Sequence, residues 1–112
     1  MHQAIRKPSD QEIRLVEFLI DKASVDISFD WKDGLLVASM DDGGMGSICL
    51  FPKGAIKEGR KFGKRISEYQ FTDEDGIEVI ASLTTNQNGG LFELDIWKTD
   101  FSPLKKLPEN IP

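Results

Sequence analysis

The hydrophobic pattern near the N-terminus is that of an amphipathic helix. Ser9 follows Pro8 and stands three residues before Glu12, which is the spacing of a capping box at a helix N-terminus. Apolar residues then recur at steps of three and four at Ile13, Val16, Ile20 and Ala23. The pattern predicts a helix over residues 8–23 with one apolar stripe, which must pack against another element.

From residue 25 the apolar positions alternate with polar ones, which is typical of strands with one solvated face. Turns rich in Asp, Asn and Gly separate the alternating segments. The predicted strands are residues 25–30, 35–40, 47–51, 66–71, 77–85 and 91–98. Residues 25–98 are therefore predicted to form a curved antiparallel meander sheet of about six strands. The expected fold class is α+β, with one N-terminal helix packed on this sheet.

The C-terminal residues 99–112 are predicted to be an irregular tail, because they contain three prolines. We expect Phe101 and Leu104 to hold the tail against the domain, and residues beyond Pro108 to be frayed. The length of 112 residues favours one domain over residues 1–112. No apolar run is long enough for a membrane span or a signal peptide, so we expect a cytoplasmic protein without membrane contact.

The charge and the few reactive residues narrow the classes of function. The formal net charge of -5 favours cationic partners and disfavours nucleic acid. The single cysteine, Cys49, and the single histidine, His2, are too few for a zinc site. His2 also lies at an end that we expect to be mobile, which disfavours a Ser-His-Asp or Cys-His enzyme. We therefore assign no catalytic residue, no metal and no cofactor.

One segment runs against the negative net charge. Residues 53–65 contain six basic side chains and one acid, with glycines that allow a ligand to approach the backbone. The segment is interpreted either as a solvated loop or as an anion-binding segment. The candidate anion-binding residues are Lys57, Arg60, Lys61, Lys64 and Arg65.

Two glycine-containing turns resemble ligand loops but fit hairpins better. Residues 41–47 contain three glycines beside two acids, but a strand follows them, whereas a phosphate loop needs a helix N-terminus. We expect a hairpin with a glycine bulge there. Residues 73–76 read Asp-Glu-Asp-Gly, yet the ligand register of a calcium loop would place Phe71 at its first position. An acidic hairpin turn is the better interpretation.

The last predicted strand has the most informative alternation. It puts Phe92, Leu94 and Ile96 on one face, which we expect to meet the helix. The opposite face carries Glu93, Asp95 and Trp97, with the two carboxylates about 7 Å apart. Such a pair could act as general acid and base, could bind a cationic partner, or could be the solvent side of the strand.

The segments DDGGMGS at 41–47 and ELDIWKTDFSPL at 93–104 resemble the signature stretches of an uncharacterised family of small bacterial proteins, a domain of unknown function. The opening RKPSDQEIRLVEFLI is also similar to the beginning of such proteins. The resemblance implies a free-standing bacterial cytosolic domain and carries no activity. The candidate binding residues that we take from these segments are Asp41, Asp42, Glu93, Asp95, Trp97, Lys98 and Asp100.

Two classes of function remain open. The leading hypothesis is a non-catalytic protein-binding module, of the kind used by immunity-type or regulatory proteins, that binds a cationic protein. In this case the protein would be a monomer or a weak homodimer. The alternative is a small acid/base enzyme or small-ligand binder, in which Asp41 or Asp42 joins Glu93 and Asp95 in a pocket.

Overall fold

The computed structural model of the protein describes residues 2–56 and 58–111, with side chains from residue 4 onward. It confirms an α+β fold with one helix on an antiparallel sheet. The strands are β1 (His2–Arg6), β2 (Leu36–Met40), β3 (Ile48–Phe51), β4 (Phe62–Thr72), β5 (Glu78–Asn86) and β6 (Leu91–Lys98). The helix α1 covers Asp10–Lys22, and a 3₁₀ turn covers Pro52–Gly54.

In the described part of the chain the sheet has six strands in the order β1-β2-β3-β6-β5-β4, and every pair is antiparallel. This order departs from a single meander in chain order. It consists of two groups of three consecutive strands that meet where β3 pairs with β6, and the helix lies between β1 and β2 of the first group. The connection from β3 to β4 is too long for a tight hairpin, and it carries the chain to the far edge of the sheet.

The helix begins as the sequence predicts. The side chain of Ser9 accepts a hydrogen bond from the Glu12 amide at 3.2 Å, and the Glu12 carboxylate accepts one from the Ser9 amide at 2.8 Å. Arg6 of β1 donates to both carboxylate oxygens of Glu12, at 2.8 and 2.9 Å. The capping box therefore also joins β1 to the helix.

The main hydrophobic core lies between the helix and one face of the sheet. The helix contributes Leu15, Val16 and Leu19, and the sheet contributes side chains from β2, β3, β4, β5 and β6. A smaller cluster on the opposite face consists of Ala38, Cys49 and Phe51, with Leu36 and Met40 packed against it. No helix covers this second face in the described residues, and we call it the open face.

The prediction of a strand over residues 25–30 is wrong. These residues form a loop with consecutive turns, in which the Trp31 amide donates to Ser28 O and the Asp33 amide to Asp30 O. The sixth strand is instead β1, which pairs with β2 and so contradicts the expectation of a mobile N-terminus. An edge strand with few apolar residues is held by backbone hydrogen bonds, which hydrophobic alternation does not reveal.

The tail is irregular, as predicted, but the part of it that packs against the core extends closer to the C-terminus than predicted. Leu104, Leu107 and Ile111 all pack against the main core, so the prediction of fraying beyond Pro108 is wrong for Ile111. Phe101 is 68% exposed and is not one of the residues that bury the tail.

The tail docks on the glycine loop at residues 41–47. The Leu104 amide donates to Gly44 O at 3.0 Å. A Cβ atom at Gly46 would lie 3.2 Å from Leu104 Cδ2, and one at Gly44 would lie 3.3 Å from Pro103 Cβ. The glycines therefore leave room for the tail, which is a structural reason for the composition of this loop.

Candidate functional site

The site is built on β6, whose two faces differ sharply. Leu94 and Ile96 are buried in the main core, as the alternation predicts. Glu93, Asp95 and Trp97 alternate with them, and Glu93 is the register partner of Cys49 in the open-face cluster. The carboxyl groups and the indole therefore lie on the open face.

Phe92 does not follow the predicted alternation. Thr84 of β5 pairs with Glu93 and Thr85 pairs with Leu91, so Phe92 is an extra residue in a β-bulge. The bulge brings Leu91 into the main core and leaves Phe92 outside it. The prediction that Phe92 faces the helix is therefore wrong, because alternation is lost at a bulge.

The side chains of Glu93 and Asp95 lie two residues apart on the same face of β6, and each changes the pKa of the other. A second negative charge is unfavourable beside the first, so the protonated form of one carboxyl group is favoured. Burial, followed by the negative charge of Asp95, raises the pKa of Glu93 to about 7. Burial also raises the pKa of Asp95, against the hydrogen bond from Glu93, and the charge of Asp42 adds to the rise.

The neighbouring strands fix the backbone beneath this pair. The Thr84 hydroxyl accepts from the Glu93 amide at 3.1 Å and donates to Glu93 O at 3.2 Å. On the other side the Cys49 thiol is buried, and burial together with the charge of Glu93 raises its pKa. Cys49 is therefore a thiol rather than a thiolate, and this environment does not activate it as a nucleophile.

Arg60, a candidate anion-binding residue, bridges β3 and β6 through their backbone carbonyls. Its guanidinium donates to Leu50 O at 2.9 Å and to Phe92 O at 3.0 Å. The rings of Phe51 and Phe92 lie 5.0 and 4.9 Å from the guanidinium carbon, one pair of cation–π contacts. Burial lowers the pKa of Arg60. These contacts commit the guanidinium to the protein's own backbone and rings.

The other candidate anion-binding residues are not gathered around one point. Lys61, Lys64 and Arg65 are exposed at the beginning of the edge strand β4, and Arg65 lies 3.6 Å from Glu68. Lys57 lies outside the described residues. Lysines and bulges on an edge strand are a common protection against unwanted strand pairing, and β4 has both.

Lys98, a candidate binding residue, is fully buried. Its ammonium group donates to Asp73 at 2.8 Å, to Asp75 at 2.6 Å and to Pro103 O at 3.1 Å. Asp73 also accepts three backbone amides, two of them from the tail at Lys105 and Lys106. Burial opposes the shift, but the hydrogen bond from Lys98 and these amides lower the pKa of Asp73 to about 2. This cluster fastens the tail to the β4–β5 turn.

The remaining acidic candidates have local structural roles or none. Asp42 accepts from the amides of Met45 and Ser47 at 3.0 and 2.9 Å and so shapes the glycine loop. Asp100 accepts from the amide and the hydroxyl of Ser102, and these hydrogen bonds lower its pKa. Asp41 is exposed.

Two exposed aromatic rings stand beside the carboxyl pair. Trp97 is 45% exposed and Phe101 is 68% exposed, and their ring centroids are 6.2 Å apart. Phe101 is not among the site residues that the sequence predicts, because it lies beyond the end of β6. We name the surface formed by Glu93, Asp95, Trp97 and Phe101 the acidic–aromatic strip.

The strip is suited to bind positive charge and to exchange a proton near neutral pH. Among the described residues, no group of three or more His, Cys, Asp or Glu side chains is arranged to hold a metal ion. The cavities of about 340 and 300 Å³ lie at the beginning of β6 and are lined by other residues.

The fold and the site define a one-helix α+β domain with a carboxyl pair and aromatic rings on an open antiparallel sheet. The chain belongs to the family DUF6984, described as a domain of unknown function, whose model matches residues 5–108. A search of the curated proteins and a search of the solved structures each gave no match. Within the described part of the chain, no helix has the length and apolar character that a membrane crossing requires.

Proposed function

We propose that the protein is a non-catalytic protein-binding module that binds a basic protein through the acidic–aromatic strip. The observation that carries the proposal is the exposure of two touching aromatic rings, Trp97 and Phe101, beside the carboxyl pair. Neighbouring exposed aromatic rings form an apolar patch of the kind found at interaction sites, and Trp is enriched among interface hot spots.

The chemistry of the strip selects a cationic side chain. A lysine or arginine of the partner can meet the carboxylates of Glu93 and Asp95 while its alkyl stem or guanidinium lies on the Trp97 ring. The net charge of -5 supports the same choice, because it attracts a basic protein over longer distances. An immunity-type or regulatory role, a cytoplasmic location and a bacterial origin stay predictions.

A second candidate function is a small acid/base enzyme or small-ligand binder at the same carboxyl pair. The observation that favours it is the pKa of Glu93 of about 7, since a general acid or base works best near the working pH. The strip lies on the open face, and Asp42, which this candidate adds to the pair, is used by the glycine loop. We therefore rank protein binding first.

Affinity capture with matched variants tests the first proposal. The wild-type chain and the double variant Asp95→Asn, Trp97→Ala are immobilised side by side and exposed to extract of the source organism. We expect a basic protein to be retained by the wild type and lost from the double variant. The purified partner should bind the wild type with an affinity that falls as salt rises.

The stability of the variants separates binding from packing. Trp97→Ala with an unchanged melting temperature and lost binding supports the strip as a binding surface. The absence of any retained protein that depends on the strip, or retention of acidic proteins alone, would contradict the proposal. The enzyme candidate instead predicts that a small molecule shifts the pKa of Glu93 in the isolated protein.

A further inference from the structure

The two aromatic rings of the acidic–aromatic strip stand at an angle to each other on the protein surface. The ring centroids of Trp97 and Phe101 are 6.2 Å apart, and the ring planes meet at 49°. The two residues are 45% and 68% exposed, so much of each side chain is open to solvent. At this separation one cation can lie within about 6 Å of both centroids, which is the range of a cation–π contact.

The backbone holds Phe101 in its exposed position at a cost. Its φ is +63°, in the left-handed region that is unfavourable for a bulky residue with a Cβ atom. The Phe101 amide donates to Lys98 O at 2.8 Å and so closes a turn at the end of β6. The Lys98 side chain is buried and pairs with Asp73 and Asp75, which fixes the base of this turn. The ring of Phe101 is therefore positioned before any partner binds, which lowers the entropic cost of binding.

The charge beside these rings is negative. Glu93 and Asp95 lie on the same face of β6 as Trp97, and the charge of Asp42 acts on Asp95 as well. The cation that acts on Glu93 is Arg60, whose guanidinium is already bound to two backbone carbonyls. Among the described residues, no ion pair includes Glu93 or Asp95. The strip therefore offers carboxylates that a cation of a partner can pair with.

The contacts of Arg60 show how this chain holds a guanidinium. The guanidinium carbon lies 5.0 and 4.9 Å from the ring centroids of Phe51 and Phe92. Two guanidinium nitrogens donate to the carbonyls of Leu50 and Phe92, at 2.9 and 3.0 Å. One guanidinium thus contacts two rings and two oxygen acceptors. The strip offers the same combination, with two rings and two carboxyl groups.

The lysines of the chain lie further from the rings they contact. The ammonium of Lys22 is 5.6 and 5.9 Å from the centroids of Phe18 and Tyr69. Lys32 pairs with a helix carboxylate, and its ammonium is 5.9 Å from the Trp31 centroid. An ammonium is compact and strongly hydrated, whereas a guanidinium is planar, weakly hydrated and able to stack on a ring while its edge donates to carboxylates. A surface that combines ring faces with carboxylates therefore favours arginine over lysine.

We propose that the acidic–aromatic strip takes an arginine side chain of the basic partner in preference to a lysine. The guanidinium lies against the rings of Trp97 and Phe101, and its NH groups donate to the carboxylates of Glu93 and Asp95. This inference rests on the proposed function, because it names the residue through which the basic partner binds the strip.

Two capped tripeptides test the preference on the full chain. Acetyl-Gly-Arg-Gly-amide and acetyl-Gly-Lys-Gly-amide are titrated separately into the isotope-labelled protein at one pH and one salt concentration. The arginine peptide should shift the indole NH resonance of Trp97 and should bind at least about threefold more tightly than the lysine peptide. The indole NH of the buried Trp31 is the internal control and should move with neither peptide.

Two matched substitutions of exposed phenylalanines locate the binding. Phe101→Leu removes a ring of the strip and should weaken binding of the arginine peptide. Phe29→Leu removes a ring that is 95% exposed and lies outside the strip, so it should leave the binding unchanged. Phe101→Gly also removes the ring but relieves the left-handed backbone, so it should weaken binding without lowering the melting temperature.

Several outcomes would overturn the inference. These are equal affinity for the two peptides, tighter binding of the lysine peptide, no shift of the Trp97 indole, or arginine binding that Phe101→Leu leaves unchanged.

The capture experiment reports on the proposed function separately. A retained basic protein that contacts the strip through lysine would support the proposed function and contradict the preference for arginine. The absence of any retained protein that depends on the strip would contradict the proposed function, even if the tripeptides showed an arginine site.

Discussion

Two of the acid pairs that lie two residues apart in this chain, Asp73 with Asp75 and Glu93 with Asp95, have pKa values that are shifted in opposite directions. Asp73 and Asp75 share the ammonium group of Lys98, which lowers the pKa of both. Among the described residues no cation lies at hydrogen-bonding distance from Glu93 or Asp95, and burial raises the pKa of both. The first pair stabilises the fold in its charged form, whereas the second is charged at a cost.

Lys98→Met should lower the melting temperature by roughly 10 °C or more, because it leaves the buried carboxylate of Asp73 without its cation. Thermal unfolding near neutral pH checks this value. The folded pKa of Asp73 is about 2, below its ordinary value, so the wild-type advantage should shrink as the pH falls from about 4 to about 2. Lys105→Met is the control, since only its backbone amide bonds to Asp73; an equal loss in both variants would contradict the role of Lys98.

Glu93→Gln should make the protein more stable at alkaline pH. The folded pKa of Glu93 is about 7 and lies above its ordinary value, so wild-type stability falls as the pH rises from about 4.5 to about 7. The amide variant has no such loss. After a discount for solvent screening we expect a gain of about 1–2 kcal/mol near pH 8 and little difference near pH 5.

Urea unfolding at the two pH values measures this difference, with Glu74→Gln as the control. Glu74 is an exposed acid outside the strip, and its substitution should give the same small effect at both pH values. A Glu93→Gln variant whose stability follows the wild type across the pH range would show that Glu93 holds no extra proton in the folded state.

At the scale of elements, the glycine loop and the tail form one unit. Gly46 has a φ of +101°, and a Cβ atom there would lie 3.2 Å from Leu104 Cδ2, closer than an ordinary contact. Gly43 has a φ of +76° with nothing within 4 Å of such an atom. The two glycines therefore have the same type of backbone requirement but differ in their contact with the tail.

Gly43→Ala should cost about 1–2 kcal/mol, the ordinary cost of left-handed backbone for a residue with a Cβ atom. Gly46→Ala should cost more and should also displace the tail, because Leu104 cannot keep its place. Hydrogen exchange at the Leu104 amide, which bonds to Gly44 O, reports the displacement directly. Equal costs and equal exchange rates in the two variants would show that the tail does not depend on Gly46.

The sequence predicts those elements whose signals are local. The capping box of Ser9 and Glu12 and the alternation of Leu94 and Ile96 identify the helix and the last strand, and five of the six strands follow from similar patterns. The strand β1 has no such pattern because its stability comes from pairing with β2. The direction of Phe92 depends on a bulge, and no local rule locates the bulge.

For the candidate site too, local patterns predict some residues and miss those that depend on distant partners. Alternation alone predicts that Glu93, Asp95 and Trp97 share the open face. The sequence does not reveal that Lys98, the next residue, is fully buried, because its carboxylate partners lie 25 and 23 positions away. The role of Arg60 is equally hidden, since it depends on the carbonyls of Leu50 and Phe92, which lie on two different strands. Sequence patterns thus do not reveal the partners of charged side chains when those partners are distant in the chain.

At the scale of the whole molecule, the charge is divided across the sheet. The acidic–aromatic strip lies on β6 of the open face, and basic side chains lie on the edge strand β4. Arg65 pairs with Thr84, which pairs with Glu93, so Arg65 is two strands from the strip. That separation is about 10 Å, which is close to the Debye length at physiological salt.

This separation of acidic and basic side chains predicts how the rate of association with a basic partner depends on salt. Asp95→Asn removes a contact charge and should slow association and speed dissociation at every salt concentration. Arg65→Gln removes a repelling charge at about one Debye length and should speed association at about 20 mM salt, with little effect at about 150 mM and none on dissociation. Stopped-flow or surface-based kinetics with the captured partner measure both rates. If Arg65→Gln slowed association at low salt, the partner would present an acidic surface to this face, and the strip would not be its binding site.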